Sequence, residues 1–226
     1  MEQYVIIGCT ALAASLLTFF SGFGLGTILL PVMLIYFPPT TAIGITAIVH
    51  FLNNLTKLSL LFNHVNWNIL IRFGIPAVVG SLLGAVMLFR IENLIMYSYT
   101  FNGEVYTVNM ISGLLAFVMI GFTLQEILSK SKSVSTKWII PGGLITGFFG
   151  GLTGHQGALR SAFLLQVELS KEMFLATGVA IACLIDITRL GVYSQNINID
   201  SIQANISIIV VAVAAATAGA VLGKYL

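Results

Sequence analysis

Residues 4–37 run for 34 positions without one charged side chain, and that run limits what the chain can become more than any other feature. Soluble cores are assembled from short apolar stretches separated by charge, whereas about 20 apolar residues in a row are enough to span a bilayer. Comparable runs with few charges inside them recur at 41–62, 69–89, 107–128, 139–167, 173–193 and 202–223. Composition agrees, with 58% hydrophobic and 8% charged residues and a mean hydropathy of +1.00, against about 25% charged in an ordinary soluble domain. The expected fold is an all-α, multi-pass integral membrane protein with seven helical segments. A net charge of +2 without a basic patch gives nucleic acid no surface to bind, so the lysines and arginines are read as topology signals. Cys9 and Cys183 fall inside apolar runs and read as two buried small hydrophobes, not as a disulfide or a metal pair. Met1-Glu2-Gln3 carries no basic n-region, which predicts a retained first segment and not a cleaved signal.

Two of these runs cannot be plain helices. The first is too long for one span and too short for two; Ser21-Gly-Phe-Gly-Leu-Gly26 interrupts it, it contains Pro31, and Pro38-Pro39 ends it. Residues 139–167 contain Gly147-Phe-Phe-Gly-Gly-Leu-Thr-Gly-His-Gln-Gly-Ala-Leu-Arg160. Each helical glycine costs about 1 kcal/mol relative to alanine, and a cation at bilayer depth costs about 2.5 to 3.5 kcal/mol or more. In lipid, backbone can leave the helix only where protein or a water-lined cavity satisfies its polar groups. Both runs therefore predict broken helices lining a polar site, as transporters use them.

The remaining runs fit around these two. Segment 41–62 carries His50, Asn53, Asn54 and Lys57, a polar stripe at helical spacing. After a polar link at 63–68, segment 69–89 holds Pro76 and the close-packing pair Gly80 and Gly84. Residues 90–106 read as a loop, with Arg90 set against Glu92 and Glu104. Residues 129–137 hold Lys130, Lys132 and Lys137 and no acid, which predicts a cytoplasmic loop. Residues 168–172 are a charged turn, segment 173–193 carries Asp186 and Arg189, 194–201 is polar, and segment 202–223 has the pair Gly219 and Gly223.

An internal repeat organises the whole. Gly22 and Gly26 match Gly150 and Gly154 at an offset of 128; Asn54, Thr56 and Lys57 match Asp186, Thr188 and Arg189 at 132, as Asn66 and Asn68 match Asn198 and Asp200; Gly80 and Gly84 match Gly219 and Gly223 at 139. The expected division is a first half over 1–128, a basic loop over 129–137 and a second half over 138–226. The first half has one helix more, 107–128. Either the protein has one helix fewer in its second half or an eighth helix belongs after Leu226.

The order of these elements resembles the TauE/SafE family of membrane transporters. The likeness rests on Ser21-Gly-Phe-Gly-Leu-Gly26 with Pro31, on Asn54 with Lys57, on Pro76 with Gly80 and Gly84, and above all on Gly150-Gly-Leu-Thr-Gly154, Gly157, Arg160 and Asp186-Ile-Thr-Arg189-Leu-Gly-Val-Tyr193. It covers nearly the whole chain. The resemblance implies a multi-pass protein of the cell (inner) membrane, eight spans, and export or uptake of small anions such as sulfite and organosulfonates.

Physical chemistry points the same way. A helix beginning at a mid-membrane glycine break presents unpaired N–H groups and the positive end of its dipole, about half a unit charge. The breaks thus offer Gly24, Gly26 with Thr27, and Gly154 with Thr153, to an anion. Arg160 lies four residues after Gln156 on one helical face and adds a forked donor suited to a pair of sulfonate oxygens. Asn54, Lys57 and Arg189 complete the candidate substrate ligands. Against this stands the reading that the glycines only allow close helix packing. Asp186 and Arg189, at i and i+3, can instead neutralise one another, and Lys57 and Arg189 are near enough to helix ends to snorkel. Asp186, His50 and His155 are the candidates for proton coupling, with His155 equally readable as a packed hydrogen-bond donor.

No metal site or cofactor is expected, because three histidines and two cysteines are scattered without ligand spacing. The expected partners are a small anion and the lipid bilayer, with room for a homo-oligomer. Two other classes compete with a carrier: a passive half-helix channel, and an intramembrane hydrolase using Ser21 or Ser161 with His50 or His155. No nucleophile motif surrounds those serines, so no enzyme is expected. If each broken segment crosses once, the halves run parallel and Met1 is cytoplasmic; if each folds back, they are inverted and Met1 is outside.

Overall fold

A computed structural model describes residues 1–128, 138–197 and 199–225. The basic loop with Lys130, Lys132 and Lys137, and also Asn198, lie outside these described residues. The helices are α1 (Glu2–Ser21), α2 (Leu25–Tyr36), α3 (Pro39–Leu61), α4 (Trp67–Ile91), α5 (Met110–Leu128), α6 (Ile139–Thr153), α7 (Gly157–Leu164), α8 (Lys171–Asn196), α9 (Ile199–Ala204) and α10 (Ile206–Tyr225). Five of them, α1, α3 with the short turn after it, α4, α8 and α10, are long and apolar enough to cross a membrane. The all-α polytopic architecture and its seven segments are present: two are broken in two, and the small α9 is additional. The region over 90–106 is not the loop expected. Strands β1 (Ile95–Phe101) and β2 (Glu104–Asn109) pair as an antiparallel hairpin, and α5 begins at Met110 instead of residue 107. Nor is 194–201 a simple polar link, since α8 continues to Asn196 and α9 follows. Pro31 and Pro76 both lie inside helices that continue past them.

The contacts fix the direction of each helix. Ser15 and Thr18 of α1 meet Asn53 and Lys57 of α3 in the same order, so α1 and α3 run the same way and α2 brings the chain back between them. In the second half, Gly142 of α6 faces Phe163 while Gly150 faces Gln156, so α6 and α7 form a hairpin. The Asn66 N–H donates to Thr177 and Ser81 donates to the Ile185 carbonyl, which makes α4 parallel to α8. Gly44 packs on Ile197 while His50 meets Asp186, which makes α3 antiparallel to α8. Each broken segment is thus a fold-back hairpin, and the first hairpin enters from the opposite end of the bundle to the second.

Helix seams without side chains hold these hairpins in place. A methyl added at Gly143, Gly147 or Gly151 of α6 would strike the backbone carbonyl of Phe73, Ala77 or Ser81 of α4, and one at Gly80 or Gly84 would strike Leu144 or Phe148. In a bilayer, helix association draws on such close packing because lipid is as apolar as the side chains. Gly219 and Gly223 of α10 meet Leu12 and Phe19 of α1 in the same manner. The glycines in segment 147–157 accordingly serve packing as well as the break. Cys9 is exposed on the apolar exterior and only Cys183 is buried, a correction to the reading of both as buried.

Candidate functional site

Both breaks are built alike. α1 ends in Gly22 (φ 78) and α6 in Gly154 (φ 84), each in the left-handed conformation, with the cap N–H bonded to the carbonyl four residues earlier, Thr18 and Gly150. These caps lie 132 residues apart, the same separation as that of Asn54 from Asp186. Glycine is required here because a side chain disfavours this backbone region. The two tips touch. A Cβ at Gly26 would lie 3.3 Å from the Gly154 carbonyl oxygen, and one at Gly157 would lie 2.6 Å from the Phe23 Cβ. Arg160 Nη2 donates to the Gly22 carbonyl at 3.1 Å, joining the second hairpin to the first.

Two polar clusters flank this junction. The inner one centres on Asp186, which is wholly buried. Its Oδ2 accepts from His50 Nδ1 at 2.6 Å and Asn54 Nδ2 at 3.2 Å. Its Oδ1 accepts from Gln156 Nε2 at 3.0 Å, Arg189 Nε at 3.0 Å and Arg189 Nη2 at 2.8 Å. Five donors from α3, the second hairpin tip and α8 therefore converge on one carboxylate, which is how a buried charge is made tolerable. Arg189 Nη1 also reaches the Gly150 carbonyl at 3.5 Å.

The outer cluster surrounds a small cavity of about 20 Å³ lined by Thr18, residues 22–27, His50, Asn53, Asn54, Lys57, Gly154, Gly157, Arg160 and Val179. That is room for one water-sized group. Lys57 donates to the Ser15 carbonyl at 3.2 Å and to the Thr18 hydroxyl. Asn53 accepts from the Ser15 hydroxyl at 2.8 Å, leaving its Nδ2 unpartnered, and Arg160 Nη1 is unpartnered as well. α2 has Gly24 at its N-cap and no side-chain cap, so its first amides lack helical acceptors where residues 24–27 line the hollow.

A family model described as sulfite exporter TauE/SafE matches residues 7–226. The chain belongs to that family. It is a multi-pass protein of the cell membrane in a family of transporters, not of enzymes. Neither the curated proteins nor the solved structures include a match to it.

In this TauE/SafE chain the candidate residues divide between the two clusters. Gly24, Gly26, Thr27, Asn54, Lys57, Gly154, Arg160 and His50 line the cavity. Thr153, Gln156, Arg189, Asp186 and His155 do not. Gln156 donates to Asp186 and not into the cavity. Thr153 donates to the Phe149 carbonyl and meets His155, whose ring packs near Phe122 of α5. Lys57 and Arg189 do not snorkel, since both side chains are buried inside the bundle. Ser15, Thr18 and Asn53 were absent from the expected set. Asn53 stood in the polar stripe, but only the meeting of α1 with α3 shows which of the two asparagines keeps a free donor.

Proposed function

We propose that this chain is a secondary carrier of a small anion, a sulfur oxyanion or organosulfonate such as sulfite, bound where the two hairpin tips meet. The observation that carries this reading is the pair of buried basic side chains, Lys57 from α3 and Arg160 from the second hairpin, which reach one cavity without a carboxylate partner among the described residues. Uncapped amides of α2 and the free Asn53 Nδ2 supply further donors for an oxyanion. The two halves are inverted repeats: α4 seals the second hairpin as α10 seals the first, and α3 and α8 cross between them. A carrier needs the two tips to part and close alternately around the anion, and the contacts to be broken and remade are those through Gly26, Gly154, Gly157 and Arg160.

Orientation follows from charge. Arg72 at the start of α4, Lys171 at the start of α8 and Lys224 at the end of α10 share the end of the bundle from which α6 departs, the end that the lysines of 129–137 adjoin in sequence. Arg90 is at the other end, with Glu2, Glu92, Glu104 and Asp200. The lysine-rich end is cytoplasmic, which puts Met1 outside. A cysteine introduced at residue 3 should then react with an impermeant maleimide in intact cells.

The test of function is counterflow. Proteoliposomes loaded with unlabelled sulfite should take up labelled sulfite transiently against its gradient, which a carrier does and a channel cannot. Equal uptake with and without internal sulfite would favour the half-helix channel.

A further inference from the structure

The buried charges do not balance, and the imbalance bears on which anions fit. Among the described residues the buried basic and acidic side chains other than histidine are Lys57, Arg160, Arg189 and Asp186, at 3%, 4%, 1% and 0% exposure. With Lys57 protonated and both buried histidines neutral, three cations face one acid. Arg189 is matched by Asp186 at 2.8 Å. Lys57 and Arg160 have no ion pair, and both line the same cavity. The repeat explains how this arises. Asp186 precedes Arg189 by three residues in α8, whereas at the matching place in α3 Asn54 precedes Lys57. The second half carries its own counter-charge and the first half carries an amide.

Leaving a buried cation unpaired costs several kcal/mol, and two in one hollow also repel each other. A singly charged ligand would meet one of them. A doubly charged oxyanion would meet both and bring the interior to neutrality, while its several oxygens would accept from Arg160 Nη1, Asn53 Nδ2 and the first amides of α2 together. Gly178 lets Arg160 lie flat against α8, where a methyl group would come within 3.3 Å of Nε. As it stands the hollow has room for one water-sized group, so the tips must part to admit either sulfate or methanesulfonate; the two are alike in size, and charge is what distinguishes them. We infer that this site selects small doubly charged oxyanions over singly charged sulfonates. The inference rests on the carrier reading above and narrows its substrate class. It also couples loading to closure: the tips come together most favourably around a neutral complex, because the ligand then has the greater affinity for the closed state.

The test is calorimetric binding to the purified full chain in mild acid, at about pH 6, comparing sulfate and selenate, both fully doubly ionised there, with methanesulfonate, which has nearly the same oxygens and one charge fewer. The wild type should bind the dianions at least about tenfold more tightly. Asn53→Asp, which adds a carboxylate beside Lys57 while still accepting from Ser15, should abolish that ratio. Lys57→Gln should do so by a different route, and stands in if the first variant does not fold. Methanesulfonate binding as tightly as sulfate in the wild type, or a ratio unchanged in both variants, would overturn the selectivity while leaving the anion site intact. Absence of binding by all three anions would overturn the carrier reading and this inference with it.

Discussion

The Asp186 cluster and the Lys57–Arg160 hollow lie against each other, share His50 and Asn54, and differ in how their charges are met. Asp186 collects five donor contacts and does not line the hollow. The hollow has cations, an amide donor and helix amides with too few acceptors. Buried polar groups are ordinarily satisfied, and exceptions need a reason. The comparison separates a lock from a binding site: the first cluster ties α3, α8 and the second hairpin together, and the second awaits acceptors from outside the chain.

The sharpest way to break this comparison is to remove the lock. Asp186→Asn leaves His50 and Arg189 facing a neutral amide, and should destabilise the folded protein by about 3 to 5 kcal/mol, read as a lowered midpoint of thermal unfolding in detergent. An unchanged midpoint would mean the cluster is not structural. The reverse pattern is expected in the hollow. Arg160→Gln should weaken sulfite binding by more than about tenfold, or ~1.4 kcal/mol, and shift the unfolding midpoint far less than Asp186→Asn does. Smaller still is the contrast between two threonines. Thr27 lines the cavity and Thr153 does not, so Thr27→Val should cost about 0.5 to 1 kcal/mol of binding and Thr153→Val should leave affinity alone. The smallest effect belongs to Ser21→Ala combined with Ser161→Ala, which should leave transport largely intact; complete loss of function would reopen a hydrolase.

Much of this was legible in the sequence because its causes are local. Gly22 and Gly154 are visible as breaks since few other residues accept a left-handed cap, and the pairs Gly80 with Gly84 and Gly219 with Gly223 announce seams by spacing alone. The stripe of His50, Asn53, Asn54 and Lys57 showed one face of one helix. What faces that stripe was not legible. Asp186 meets His50 across 136 positions of chain and Gln156 across 30, and glycine at a break does not say whether the chain goes on or turns back. The direction of the hairpins therefore emerged only from contacts such as Gly142 with Phe163. Asn102-Gly103, with φ of 51 and 83, is the dipeptide that makes a tight two-residue hairpin turn, and aromatic residues at Tyr97, Tyr99 and Phe101 alternate before it. Arg90 set against Glu92 and Glu104 reads as a loop instead.

The most direct test of the account is to locate an anion by its own scattering. Crystals of the full chain grown with selenate should give an anomalous selenium peak within about 4 Å of both Lys57 Nζ and the Arg160 guanidinium, the reach of charge-assisted hydrogen bonds to a bound oxyanion. A hollow without selenium density, with selenate found only on exposed lysines or arginines such as Arg72 or Lys171, would contradict it.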